Sequence, residues 1–157
     1  MSEQSNLSEA EGKNAIVLLT NLYRLDERQK NQIRLPLGKL HDFYGCNNIS
    51  EAAVLLRTSL ESIFLDNDSG ELSHRLSIRA ALLTGEAIEE RLATYRLIKK
   101  AYEHGSTAVH RGKINSKKPQ EVAHVLEKAA TVAKHAIKMY LSNPFDDWLS
   151  LELGGEL

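Results

Sequence analysis

The sequence predicts an all-α protein, a compact bundle of about five to seven helices. Apolar residues recur at three- and four-residue spacing through most of the chain. No stretch alternates apolar and polar residues for long enough to form a half-buried strand. Only three prolines and nine glycines interrupt 157 residues, so long helices meet few obstacles.

The elements follow in order. Residues 1–9 are polar, rich in Ser and Glu, and read as a flexible N-terminus. A first helix covers residues 10–25, with Ile16, Leu19, Leu22 and Tyr23 on its buried side. Residues 26–48 read as a short helix and then a turn at Leu35-Pro36-Leu37-Gly38, because proline disfavours helix in the residue before it. Asn47-Asn48 marks a second break. Ser50 then caps a helix in which Ala53, Leu56, Leu60 and Phe64 share one face. Residues 66–70 have the composition of a turn. The next helix keeps Leu72, Leu76, Ala80 and Leu83 in phase and stops at Gly85. Ile88, Leu92, Tyr95, Ile98 and Tyr102 form the stripe of a third clear helix, expected to end near Gly105.

Residues 111–118 read as a loop. Pro119 suits the first turn of a long helix carrying Val122, Leu126, Ala129, Ala133, Ala136 and Tyr140. Asn143-Pro144 reads as the cap and first position of a short terminal helix, with Asp146 and Asp147 complementing its positive end. Phe145, Trp148, Leu149, Leu151 and Leu153 make that segment amphipathic, so it docks on the bundle or on a partner chain.

Hydrophobic residues at 42% and charged residues at 26% suit a chain that buries a core. Residues 10–157 read as one domain, without internal repeat or linker. A single cysteine, Cys46, excludes an intrachain disulfide and fits a reducing, cytoplasmic setting. The acidic N-terminus is unlike a secretory signal, and no apolar run reaches the roughly 18 residues needed to span a bilayer. No phosphate-binding glycine loop, no dinucleotide fingerprint and no zinc-ligand pair occurs, so neither a metal nor a cofactor is expected. His104 and His110 are six apart, not the four that would put two ligands on one helical face.

The net charge is only −1, yet it is unevenly spread. Between residues 95 and 118 stand Arg96, Lys99, Lys100, Arg111, Lys113, Lys117 and Lys118, against Glu103 alone. His104 and His110 lie in the same segment. Clustered cations hold a phosphodiester backbone, and imidazoles move protons at its 2′-hydroxyl. Lys99, Lys100, His104, Arg111 and Lys113 are therefore the candidate RNA-binding residues. The bland reading is a solvated helix face running into a lysine-rich loop. Arg79 and Glu61 read as a structural ion pair, and Lys134 and His135 as an exposed, inert pair.

The run Ala101-Tyr102-Glu103-His104-Gly105-Ser106-Thr107-Ala108-Val109-His110-Arg111-Gly112 resembles the signature of HEPN domains, closest to the Apea-like branch. Tyr102, Ser106, Val109 and His110 fall in register with it. Upstream, Ser59-Leu60-Glu61-Ser62-Ile63-Phe64 and Leu76-Ser77-Ile78-Arg79-Ala80-Ala81-Leu82-Leu83 resemble two further helices of that family. The likeness spans about residues 50–142. It implies a bundle whose chains pair, so that two motifs line one cleft and cut RNA without a metal. It also implies a catalytic set of Tyr102, position 105, Ser106 and His110. Gly105 stands where the family carries its arginine, and Arg111 displaces the glycine expected after His110.

The resemblance thus implies an RNA-binding or degenerate ribonuclease domain, of a defence or toxin–antitoxin kind, with cleavage weakened or lost. Its expected partners are a second copy meeting near residues 102–112, RNA, and a cognate antitoxin or defence-system protein. Two alternatives stand beside it. One is a non-catalytic structural or protein-interaction helical dimer. The other is an active ribonuclease using His110 with Arg111 or His104.

Overall fold

The computed structural model describes residues 8–65, 70–145 and 147–155. Among these there are seven helices and no strand. They are α1 (Glu9–Arg24), α2 (Glu27–Gly45), α3 (Ile49–Phe64), α4 (Leu72–Thr84), α5 (Ile88–Arg111), α6 (Pro119–Ser142) and α7 (Trp148–Glu152). No helix is long and apolar enough to cross a membrane, again among the described residues. Residues 1–7 of the expected flexible N-terminus, residues 66–69 of the expected turn, and Asp146 lie outside the described residues.

α3 is the centre of the bundle. It packs against α2 on one side and α5 on the other, with α6 and α4 also against it. Its Ala53, Leu56, Leu60 and Phe64 are essentially fully buried, as their spacing predicts. α6 meets the bundle through Ala129, Ala130, Ala133 and Ala136, all fully buried, where methyl-sized side chains let helices pack closely. Leu76, Ile98 and Leu126 complete the interior.

Several boundaries differ from expectation, each for a physical reason. α1 is helical from Glu9, held by a capping box in which Ser8 and Glu11 satisfy each other's backbone N–H groups. None of its residues is buried, and Ile16, Leu19 and Tyr23 face outward rather than into the core. α2 runs unbroken through Pro36. Pro36 removes one helical hydrogen bond, at a cost of about 3 kcal/mol in an isolated helix. Here its ring is buried beside Ile33, Leu40 and Phe43, and its carbonyl accepts the Ser59 hydroxyl at 2.9 Å. Burial of that stripe against α3 offsets the local cost.

The cap of α3 is Asn48, whose side chain accepts from the Ser50 and Glu51 N–H groups, so Ser50 is not the cap. The Ser50 hydroxyl instead accepts the Ile114 N–H at 2.9 Å and ties the loop after α5 to the start of α3. Gly85 closes α4, and Pro119 opens α6, as predicted.

α7 begins at Trp148 with Asp147 as its cap, later than Asn143-Pro144 would place it. It docks on its own bundle: Trp148 and Leu151 are buried, while Leu149 and Leu153 stay exposed. Trp148 packs against Phe64 with ring centroids 5.7 Å apart. The buried Arg79 does not pair with Glu61. Its Nε donates to Glu152 at 2.6 Å, its Nη1 donates to the Phe64 carbonyl at 2.8 Å, and its guanidinium lies over the Trp148 ring. Arg79 thereby fastens the C-terminal segment to α3 and α4.

Candidate functional site: the basic helix α5

α5 does not stop at Gly105. It continues to Arg111 and is closed by Gly112, whose φ of 70° is the left-handed conformation a helix C-terminus favours. Gly105 is buried inside the helix for a different reason. A Cβ there would come within 2.6 Å of the Arg57 Cβ and 2.8 Å of the Ala53 carbonyl oxygen. The two helices cross at a point where residue 105 has room for hydrogen only. Position 105 therefore faces α3, not an open cleft.

Next to this crossing lies a three-membered polar cluster. Arg57 Nε donates to Glu61 Oε1 at 2.9 Å, and Arg57 Nη2 donates to the Tyr102 hydroxyl at 3.2 Å. The Tyr102 hydroxyl donates to the same Glu61 oxygen at 2.9 Å, and the guanidinium carbon sits 4.7 Å from the Tyr102 ring centroid. Burial and the bond to Glu61 raise the Tyr102 pKa above its usual value, with Arg57 pulling the other way. Glu61 thus pairs with Arg57 rather than with Arg79. Tyr102 is core, as its place in the stripe suggests, with its hydroxyl turned into this cluster.

The remaining candidates separate into two flanks of one helix. At 100° per residue, Lys99, Ser106 and His110 lie on one flank, and Lys100, His104 and Arg111 lie on the other. Tyr102, Ser106 and His110 follow one another at four-residue steps, so His110 stands about 12 Å along the axis from Tyr102. Lys99, Lys100, His110 and Arg111 are exposed, Ser106 is half-buried, and Lys113 is exposed in the following loop. None of the four exposed cations is held by a described carboxylate.

His104 is not the cation that position 105 lacks. Its Nε2 is buried without a described partner, and burial followed by the charge of Lys100 lowers its pKa below the usual 6.5, with Glu103 opposing. It is neutral at neutral pH.

A shallow cleft of about 540 Å³ opens on the Lys99 flank, between the start of α4 and α5, lined by Glu71, Leu72, Ser73, His74, Lys99 and Tyr102. On the same side the His74 Nδ1 lies 2.9 Å from the Tyr95 hydroxyl, and the Lys99 ammonium sits 5.9 Å from the Tyr95 ring centroid. Arg57 and His74 escape sequence reasoning because the tyrosines they meet, Tyr102 and Tyr95, are 45 and 21 residues away on another helix. No group of three metal-ligating side chains occurs among the described residues.

No protein-family model, curated protein or solved structure matches this chain.

Proposed function

We propose that this chain is an RNA-binding, HEPN-like helical domain in which ribonuclease activity is weakened or lost. The observation that carries the reading is the exposed set Lys99, Lys100, Arg111 and Lys113, free of described ion pairs, with His110 among them. Such cations bind a phosphodiester backbone by releasing its counterions, without regard to base sequence. The three sequence segments that resemble the family direct the choice toward RNA.

Cleavage at a 2′-hydroxyl needs a proton acceptor, a proton donor and a cation at the phosphate. His110 is exposed and can exchange a proton with substrate. The cation is the weak point. Arg57 is already engaged by Glu61 and Tyr102, and His104 is biased to its neutral form. Losing one such stabilising group lowers a rate by about a hundred- to a thousandfold.

A second copy meeting near residues 102–112 is implied by the resemblance alone; that segment carries Arg111 against Glu103 and is near neutral. A cognate antitoxin or defence-system partner is implied by the resemblance alone. The alternative of a non-catalytic interaction protein is favoured by the apolar outer face of α1.

The test is fluorescence anisotropy with single-stranded RNA across a salt series. Replacing Lys99, Lys100 and Lys113 with glutamine should weaken binding equally for unrelated sequences and flatten the log–log salt slope by about 2. A parent protein that ignores RNA at low salt, or a variant with an unchanged slope, would sink the reading.

A further inference from the structure

Between the first turn of α4 and the middle of α5, the cleft lined by Glu71, Leu72, Ser73, His74, Lys99 and Tyr102 gathers features that the packing of the bundle does not require. At about 540 Å³ it has the size of a small-ligand site. The His74 ring is exposed, yet it is held: its Nδ1 lies 2.9 Å from the Tyr95 hydroxyl, and the two rings meet edge to face with centroids 5.8 Å apart. The Ser73 hydroxyl is buried with no described hydrogen-bond partner. Glu71 takes a left-handed conformation at φ 43°, a strain of the kind that gathers at ligand sites.

We propose that this cleft is a nucleobase subsite, which receives one base of a single RNA strand against the His74 imidazole while Lys99 holds the adjoining phosphate. The subsite rests on the RNA reading of α5 and adds to it a place where a base, not the backbone, is held. Bases splayed out of a single strand stack on aromatic side chains, histidine included, whereas a duplex keeps its bases stacked on one another. A ring already fixed by Tyr95 loses little freedom when a base lies against it. Lys99 is exposed at the rim, its ammonium 5.9 Å from the Tyr95 ring centroid and held by no described carboxylate, so it is available to a phosphate.

The charges decide between a base and a bare anion. A phosphate alone in the cleft would share it with the Glu71 carboxylate. A nucleotide suits both signs: its phosphate pairs with Lys99, and an amino group on its base donates to a carboxylate that can only accept. Cytosine, adenine and guanine carry such a group, and uracil does not. The Ser73 hydroxyl can donate or accept at the same edge. The cleft also sets the path of the strand. Lys99 and His110 differ by about 20° around α5 and by about 16 Å along it. A strand that enters at the cleft therefore runs down the flank carrying His110, not the one carrying Lys100 and Arg111.

The experiment is fluorescence anisotropy on the full chain with oligo(C), oligo(U) and an RNA duplex of equal length, across a salt series, for the parent, His74→Ala, His74→Phe and Glu71→Gln. The parent should bind oligo(C) more tightly than oligo(U). His74→Ala should weaken both single strands by about tenfold or more, leaving the duplex and the salt slope unchanged. His74→Phe, which keeps an aromatic face and no ring nitrogen, should restore single-strand binding. Glu71→Gln, which donates as well as accepts, should bring the two strands level. Helicity should be unchanged in every variant, because both side chains are exposed. A parent that binds no RNA at low salt overturns the RNA reading and the subsite with it. A parent that binds RNA, beside a His74→Ala that holds both single strands equally well, overturns the subsite alone. So does a loss of equal size on single strands and duplex, the mark of a general electrostatic effect.

Discussion

The Arg57 side chain occupies the space that any side chain at residue 105 would need: its Cβ lies 2.6 Å from the Cβ position of Gly105, and its Cδ 3.1 Å. Glycine at 105 is therefore part of how α3 and α5 cross, and an arginine there has no path to solvent without moving α3.

Gly105→Ala should destabilise the protein although alanine is the better helix former. The propensity gain is up to about 1 kcal/mol, whereas forcing a methyl group into a filled crossing costs about 1–3 kcal/mol. Urea denaturation should show a lower midpoint, and Gly105→Arg should fold poorly rather than acquire ribonuclease activity. A rise in midpoint for Gly105→Ala would mean that the helices cross elsewhere.

Tyr102 links stability to alkaline pH. Its folded pKa is raised, so its contribution is fully present below the unfolded value near 10 and is lost as pH rises through the folded value. Tyr102→Phe should remove part of the alkaline fall in stability. At neutral pH it should cost about 1 kcal/mol, because Glu61 and Arg57 each lose a partner. Melting curves from pH 8 upward (about two to three units of range suffice) distinguish this from a uniform loss. Tyr44, whose pKa is also raised, by burial and then by the charge of Glu127, contributes in the same direction.

His104 acts at the opposite end. Its folded pKa is depressed, so its stabilising effect is present above the unfolded value of 6.5 and is lost as pH falls through the folded value. His104→Gln should make the urea midpoint less sensitive to acidification below 6.5. An equal acid sensitivity in parent and variant would show that His104 is solvated in both folded and unfolded chains.

Arg79→Met keeps the apolar stem but leaves Glu152 and the Phe64 carbonyl without their donor. Removing one partner of a buried pair costs about 3 kcal/mol or more, and calorimetry should record a correspondingly lower melting temperature. Adding Glu152→Gln to Arg79→Met should recover part of that loss.

Much of the bundle is legible in the sequence because α3 and α6 each bury one continuous stripe, and such stripes survive any tertiary arrangement. α1 misleads because periodicity reports that a face is apolar, not what covers it. Pro36 misleads because a local rule is outweighed by a buried stripe that continues straight through it. Gly105 is read as a stop signal when its use is close approach of another helix.

The basic character of residues 95–118 is also plain from the chain, but its geometry is not. Lys99 and Lys100 are neighbours in sequence and diverge by about 100° around the axis. Arg57 and Glu61 are an i,i+4 pair on α3, but Tyr102 joins them from 45 and 41 residues away, which no local pattern reveals.

The protein has one tryptophan, and it lies in α7. Five residues are too few to hold a helix by themselves. The segment keeps its shape only while Trp148 stays seated against Phe64 and beneath Arg79. Intrinsic fluorescence of this chain is accordingly a local gauge: its emission reads whether the C-terminus is latched, while far-ultraviolet ellipticity reads the six long helices. Any difference between the two signals on heating measures how loosely the latch is joined to the rest.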